Sequence, residues 1–345
     1  MSALAFPVLI GDIGGTNARY QLLESPGADP RVFKSVTVAS HKTIEDGLTD
    51  VLSALPQPPA SAILAAAGPI GPDGMDFTNS HWVIEPDAFL ASTGIGSLLL
   101  VNDFEAQALA LSVLGPNDVT AIGPSVAPTT GTRVAIGPGT GLGVGTLARA
   151  GNLWMPISGE GGHVDLGPRT DRDFEVWAHL PEAGSNRSQG TSRVRVSAEQ
   201  VVSGQGLHNV YRAICHTDGE KPSLASPAEI SAAGMAGSDP RAVEALELFC
   251  TALGRVAGDL ALTLTARGGV FLTGGISGHI LPFLKKSAFR AAFEDKAPHE
   301  DLLAPIGTFA ITRDLPALAG LAAYANHPDD YLVDTSERVW GEAAA

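Results

Sequence analysis

Pro7-Val8-Leu9-Ile10-Gly11-Asp12-Ile13-Gly14-Gly15-Thr16-Asn17 is an apolar run that stops on an aspartate and a pair of glycines. An unbroken apolar run bounded by turn formers reads as a buried strand. Alternation resumes beyond it, with Ala18, Tyr20 and Leu22 on one face and Arg19, Gln21 and Glu24 mostly on the other. The reading is strand, glycine turn, strand. Two adjacent glycines let the backbone turn tightly and aim N–H groups at an anion with no Cβ in the way. Asp12 at the strand end can hold Mg²⁺ through water, because that ion keeps most of its hydration shell. A plain Gly-Gly hairpin fits the same residues. The Walker-type loop G-x-x-x-x-G-K-[ST] is absent, and a strand rather than a helix follows the turn.

Outward from this unit, strands and helices alternate, which argues an α/β fold. A third strand is expected over 32–38, and Thr43 with Asp46 marks the start of a helix ending near Leu55. Strands follow at 63–67 and 98–101, the latter leading into Asn102-Asp103 and a helix over 104–114 stopped by Gly115-Pro116. A Pro-, Gly- and Thr-rich stretch over 115–131 is a candidate crossing between domains. The pattern then restarts with a strand at 134–136, a glycine turn at 137–145 and more strand to Ile157, an echo of the first unit. Residues 171–267 read mainly helical, with long apolar periodicity over 242–264. A buried strand at 270–273, a last strand at 309–311 and a helix over 315–325 complete the chain. The polar tail after His327 is expected to be loosely held.

The 345 residues carry a net charge of −15, with 44% hydrophobic and 17% charged residues, an ordinary globular balance. That acidity argues against nucleic acid and anionic membrane as partners. Cys215 and Cys250 make neither a disulfide framework nor a zinc cluster, which fits a reducing cytoplasm. The N-terminus lacks a basic stretch ahead of a long apolar run, so no signal peptide is read. No segment has the length needed to span a bilayer.

Two further glycine turns carry chemistry. Gly137-Pro138-Gly139-Thr140-Gly141-Leu142-Gly143 does not match the dinucleotide pattern G-x-G-x-x-G, which removes the main support for hydride transfer. It suits a second phosphate clamp, with Thr140 donating, and equally an ordinary hairpin. Thr273-Gly274-Gly275-Ile276 follows a buried strand and leaves room for a flat ring against the backbone. Asp103 stands at the carboxyl end of an apolar strand, where open α/β sheets place ligands. Its plainer role would be to cap the following helix. Glu160, set among glycines in Ser158-Gly159-Glu160-Gly161-Gly162, has no helix to support, and a carboxylate there can accept from hydroxyls. His163 also fits a satisfied, partly buried histidine, and Glu199, two residues after Ser197, fits a capping box.

Six blocks, GDIGGTNAR (11–19), LVNDFEAQALAL (100–111), GPGTGLGV (137–144), SGEGGHVDLGPR (158–169), VSAEQVVSGQGLHNVYRAI (196–214) and FLTGGISG (271–278), stand in order along the chain. In them the sequence resembles the bacterial glucokinase family, the non-ROK branch of the hexokinase-like sugar kinases. The resemblance implies a two-domain actin/hexokinase-like (ribonuclease H-like) α/β fold with an interdomain cleft. Residues 1–113 with 314–345 would form the smaller domain and 114–313 the larger. It implies that Gly11, Asp12, Ile13, Gly14, Gly15, Thr16 and Asn17 bind the phosphates of ATP, with Asp12 near Mg²⁺. Gly139, Thr140 and Gly141 would close over the same phosphates, and Gly274 and Gly275 would line the adenosine pocket. Asp103 matches the catalytic base. Glu160, His163 and Glu199 match residues that hold sugar hydroxyls, with Asn102 and Asn79 completing the cradle. ROK kinases carry a cysteine-rich zinc motif after their histidine; here the segment directly after His163, Val164-Asp165-Leu166-Gly167, holds no cysteine, so no zinc is expected. The tail beyond His327 is longer than the family core requires. Dimers are usual in similar enzymes, so a homodimer is expected.

The implied reaction moves the γ-phosphoryl group of MgATP to the 6-hydroxyl of glucose, with closure of the domains on sugar binding to exclude water. Rival readings are a kinase for another hexose, a donor other than ATP, a non-catalytic sugar sensor, and an actin-like ATPase module without a sugar cradle.

Overall fold

The computed structural model describes residues 4–78, 80–124, 129–181 and 195–341. By packing, these fall into two units. One comprises the chain up to Gly115, Gly145–Ser158 and everything from Arg313; the other comprises Pro116–Val144 and Gly159–Thr312. Gly145–Ser158, grouped from sequence with the larger domain, falls in the first unit.

The first unit is built on a sheet in which Val339–Gly341, Ser97–Asn102, Ser61–Ala66, Val8–Ile13, Asn17–Leu23 and Arg31–Val32 lie side by side, with Val36–Thr37 also on Asn17–Leu23. Val8–Ile13 pairs parallel with Ser61–Ala66, which pairs parallel with Ser97–Asn102; Val8–Ile13 and Asn17–Leu23 are antiparallel. Parallel strands covered on both faces need apolar residues at every position. Accordingly Leu9, Leu64 and Leu100 join one core with Tyr20, Trp82 and Phe89. Val8, Ile10, Ile63, Leu99 and Val101 join another with Ala106, Leu109, Leu318 and Leu321. The second unit has Arg133–Pro138, Gly269–Leu272, Thr308–Ile311 and Val119–Ala121 in adjacent positions, the first three parallel and the last antiparallel. Against it packs a core that includes Val210, Ile214, Phe249, Leu253, Phe289 and Phe293. Its longest helix, Pro240–Leu264, begins where Asp239 accepts from the amides of Arg241 and Ala242.

Three expectations need correction. The strand expected over 32–38 is two short pieces, Arg31–Val32 and Val36–Thr37. Both pair with Asn17–Leu23, but four residues separate Val32 from Val36 where three separate their partners Gln21 and Ala18. One extra residue is a bulge, and it breaks the run. The helix expected over 104–114 is Asp103–Ala110. Beyond Ala110 the amides of Leu111, Ser112 and Val113 reach back three residues rather than four, the tightening typical of a helix end. Over its described residues, 328–341, the tail after His327 is not loose. Tyr331 is buried, its hydroxyl lies 2.7 Å from Ser112 Oγ, Leu332 N donates to the Trp154 carbonyl at 2.8 Å, and Val339–Gly341 pairs antiparallel with Ser97–Leu99. Apolar residues set among the acidic ones give the tail something to bury.

The helix Pro316–Asn326 lies on Asp103–Ala110 backbone to backbone: a Cβ at Gly320 would stand 2.4 Å from Ala110 N and 2.5 Å from Ala106 O. Gly320→Ala should therefore destabilise the protein by about 1–3 kcal/mol, the usual scale of overpacking. Urea unfolding checks this through a lower midpoint at unchanged slope. An unchanged midpoint would mean the two backbones do not touch.

Candidate active site

In the first unit the buried strand Ser97–Asn102 runs directly into the helix Asp103–Ala110. Asn102 is the capping residue: its Oδ1 accepts from Phe104 N at 2.9 Å and from Glu105 N at 3.4 Å. Asp103 is the first helical residue. Its Oδ1 accepts from Phe104 N at 3.0 Å, and the carboxylate stands at the positive end of the helix dipole. Asp12 is the penultimate residue of the strand Val8–Ile13 and faces Arg19 in register, with Nη1 to Oδ2 at 3.8 Å. Burial pushes the Asp12 pKa up, and the Arg19 charge opposes that shift. The turn between them is closed by Gly14 N donating to Asn17 O at 3.0 Å, which leaves Gly14, Gly15 and Thr16 exposed. Gly11 and Ile13 are buried, and the Ile13 side chain belongs to the core, so these two can offer a ligand only backbone. Asn79 lies outside the described residues.

In the second unit Glu199 comes from far along the chain to join the neighbouring pair Glu160 and His163. His163 Nε2 is 3.8 Å from Glu160 Oε2, and its Nδ1 is 4.0 Å from Glu199 Oε1. Glu160 is exposed on 88% of its side chain and caps nothing, as its glycine surroundings suggested. The capping box at Ser197 is completed by Gln200, not by Glu199. Glu199 instead turns its Oε2 to Leu142 N, at 2.9 Å. Leu142 directly follows the Gly139-Thr140-Gly141 turn, and a Cβ at Gly141 would stand 2.4 Å from the same oxygen. Glycine at 141 is what allows the carboxylate this close. The turn is pinned further by Gly139 N to Gly141 O at 2.8 Å and by Gly204 N to Gly139 O at 2.9 Å. Thr140 is exposed at its tip. Alongside, Thr273 N donates to Ile136 O at 2.9 Å, which brings Gly274 and Gly275 next to the start of that turn.

Sequence reading passed over three residues. Arg19 was read only as a polar position on an alternating strand, yet it is the cation facing Asp12. Arg195 donates from Nη2 to the His163 carbonyl and holds Asp165 at 2.5 Å, so it supports the backbone of the His163 segment. Ser277 lies two residues past Gly275 and is buried, and its Oγ has no hydrogen-bond partner among the described residues.

The donor set suits a hydrated divalent ion. Among the described residues no group of three or more His, Cys, Asp or Glu forms a metal cage. Mg²⁺ needs none, being held by one or two carboxylates together with substrate phosphates, and Asp12 supplies such a carboxylate at a strand end. The Glu199 contact makes a prediction that needs no substrate. Glu199→Ala should speed hydrogen exchange at the Leu142 amide and cost about 1 kcal/mol, a charge-assisted bond discounted for partial exposure. Glu199→Gln should retain most of the protection. Unchanged exchange in the alanine variant would place the Leu142 amide on another acceptor.

A family model described as Glucokinase matches residues 9–328. The glucokinase of Chelativorans sp. (strain BNC1) is 52% identical over 338 residues, 98% of this chain and 96% of that one. The glucokinase of Rhizobium etli (strain CIAT 652) is 50% identical with the same coverage. Among solved structures, a glucokinase from an Antarctic psychrotroph matches with a TM-score of 0.79 at 31% identity, covering 94% of this chain and 100% of that one. The glucokinase of Balamuthia mandrillaris in complex with glucose gives 0.71 at 23% identity over 93% of each chain, and the ROK hexokinase of Thermus thermophilus 0.60 at 19%, covering 93% of this chain and 98% of that one; these two speak to fold alone. The fold is the actin-like ATPase fold of sugar kinases, and the chain belongs to the glucokinase family.

Proposed function

We propose that this chain transfers the γ-phosphoryl group of ATP to the 6-hydroxyl of glucose, with Asp103 as the general base. The observation that carries the reading is the gathering of Glu160, His163 and Glu199, with Glu199 bonded to the amide that follows the Gly139–Gly141 turn. Carboxylates and an imidazole clustered at a glycine turn suit a polyhydroxylated acceptor next to a phosphate donor. An ATPase module without a sugar would have no use for the cluster. A sugar sensor would have no use for a carboxylate at the helix start in addition to the Asn102 cap.

The new bond joins the sugar O6 to the γ-phosphorus as the bond from phosphorus to the ADP oxygen breaks. Asp103 accepts the O6 proton as attack proceeds and orients the hydroxyl in line. Glu160, His163 and Glu199 hold the remaining hydroxyls, with Asn102 beside Asp103. The exposed turns at Gly14-Gly15-Thr16 and around Thr140 meet the phosphates, while Gly274 and Gly275 line the adenosine pocket. Mg²⁺, held through water by Asp12 when bound, supplies neutralisation of phosphate charge.

The same reading puts the chain outside the ROK branch and without its zinc. Residues 164–169 after His163 hold no cysteine, and Cys215 and Cys250 are both buried in helices. A cytoplasmic location and a homodimer complete the proposal. Among the described residues no helix is long and apolar enough to cross a membrane, and light scattering tests the dimer.

The decisive assay is sugar-dependent ADP formation from MgATP over a panel of hexoses, run beside Asp103→Asn. Glucose should be the best acceptor, and the variant should bind it normally while turning over roughly 10²–10⁴-fold more slowly. Wild-type turnover in a folded Asp103→Asn protein would refute the base. A better rate with another hexose, or with ADP or polyphosphate as donor, would move the substrate assignment. Glucose binding without turnover would favour the sensor.

A further inference from the structure

The family match ends at residue 328, and the chain beyond it runs back under the strand and helix that carry Asp103. One residue of this tail touches both. The Arg338 carbonyl accepts from Leu100 N at 3.0 Å, two residues before Asn102 in the incoming strand, and Val339–Gly341 continues the pairing along Ser97–Leu99. The Arg338 guanidinium donates from Nη1 to Glu105 Oε2 at 2.7 Å, in the first turn of the outgoing helix. Glu105 is only 2% exposed, and Arg338 is largely buried with it.

The pair is tied to the turn itself. Glu105 N donates to Asn102 Oδ1, so any swing of the Glu105 side chain that turns its backbone also strains the cap that shapes Asn102-Asp103. Asp334, on the solvent side of the guanidinium at 3.8 Å, is a weaker partner with 71% of its side chain exposed. Burial pushes the Glu105 pKa up while Arg338 opposes it, so the carboxylate depends on this partner to stay charged. A plain stabilising contact would not need to reach the first turn of the catalytic helix and the strand before it from one residue.

We propose that Arg338 is a positioning residue for phosphoryl transfer, fixing the Asn102-Asp103 turn by holding the strand through its carbonyl and the helix through its guanidinium. The proposal rests on Asp103 being the base. Misplacement of a reacting group by about 1 Å can cost a hundredfold in rate, and the loss falls chiefly on kcat, because Asn102 is the one sugar-holding residue assigned above that lies in this turn, while Glu160, His163 and Glu199 lie in the other unit.

The test uses the full chain and four variants, Arg338→Met, Arg338→Lys, Arg338→Met combined with Glu105→Gln, and Asp103→Asn, each assayed well below its own unfolding temperature. Arg338→Met should lower kcat about tenfold to a hundredfold while KM for glucose and for ATP stays within about twofold. Arg338→Lys should recover part of kcat. The double variant separates the two roles, since removing the orphaned charge restores thermal stability without restoring the grip on the helix. Stability should return there while kcat stays low. A normal kcat in folded Arg338→Met, or kcat rising in step with stability in the double variant, would overturn the proposal while a collapsed Asp103→Asn leaves the base in place. A normal rate in Asp103→Asn would remove the base, and this role for Arg338 with it.

Discussion

A strand buried on both faces cannot carry an unpaired charge along its length, because taking a charged group out of water costs far more than any packing around it returns. In Val8–Ile13 and Ser97–Asn102 the chain therefore stays apolar until the sheet runs out, and polar chemistry gathers where it does: Asp12 next to one end, Asn102 at the other. The strands Arg133–Pro138 and Gly269–Leu272 in the second unit obey the same constraint and run out into Gly139-Thr140-Gly141 and Thr273-Gly274-Gly275. Because these strands are parallel within each unit, their carboxyl ends fall on one side of their own sheet. The placement of ligand-facing groups at the ends of parallel strands is thus a by-product of burial.

What burial cannot fix is orientation, and here short polar contacts take over. Asn102 caps the helix through the amides of Phe104 and Glu105, and Asp103 adds a bond to Phe104 N alone. Gln200 completes the capping box at Ser197, and Glu199 bonds Leu142 N. In both places the capping duty falls mainly on the neighbouring amide side chain, Asn or Gln, rather than on the acid beside it. An amide can accept from backbone N–H groups without introducing charge, so it caps at lower desolvation cost than a carboxylate. The Glu199 bond also means that the glycine turn and the Glu160–His163–Glu199 group cannot shift independently within their unit.

The legible part of the sequence was the part governed by burial. Continuous apolar runs located the strands around Val8, Ile63, Leu99, Val134 and Val270, and glycine pairs located the turns after them. Capping signals gave the helix start at Thr43, which accepts from Asp46 N at 3.2 Å. Illegible were features set by pairing partners far along the chain. Nothing in Val32–Val38 announces the extra residue, which exists only relative to Asn17–Leu23. The tail read as polar because acids are interspersed among its apolar residues, yet Tyr331 and Trp340, with the strand pairing of Val339–Gly341, dock it once a sheet edge is there to receive them. Arg19 and Arg338 were invisible for the same reason: an arginine gains meaning only when its carboxylate is placed.

The tail bears on how such a site is kept in register. A helix of eight residues starting at the proposed base has little intrinsic persistence, since helices this short are marginal without tertiary support. Beyond the packing of Ala106 and Leu109 on the sheet, its support includes three contacts: the Asn102 cap at its start, the backbone of Pro316–Asn326 along its side, and Arg338 on Glu105 in its first turn. The first two are neutral contacts that tolerate small slides. The third is a charge pair whose carboxylate is almost wholly removed from solvent, and breaking such a pair strands a buried charge, which makes it the least forgiving of the three. Geometry at Asn102-Asp103 is accordingly most sensitive to a residue outside every glycine-rich block, at the far end of the chain from the motif that decides the fold.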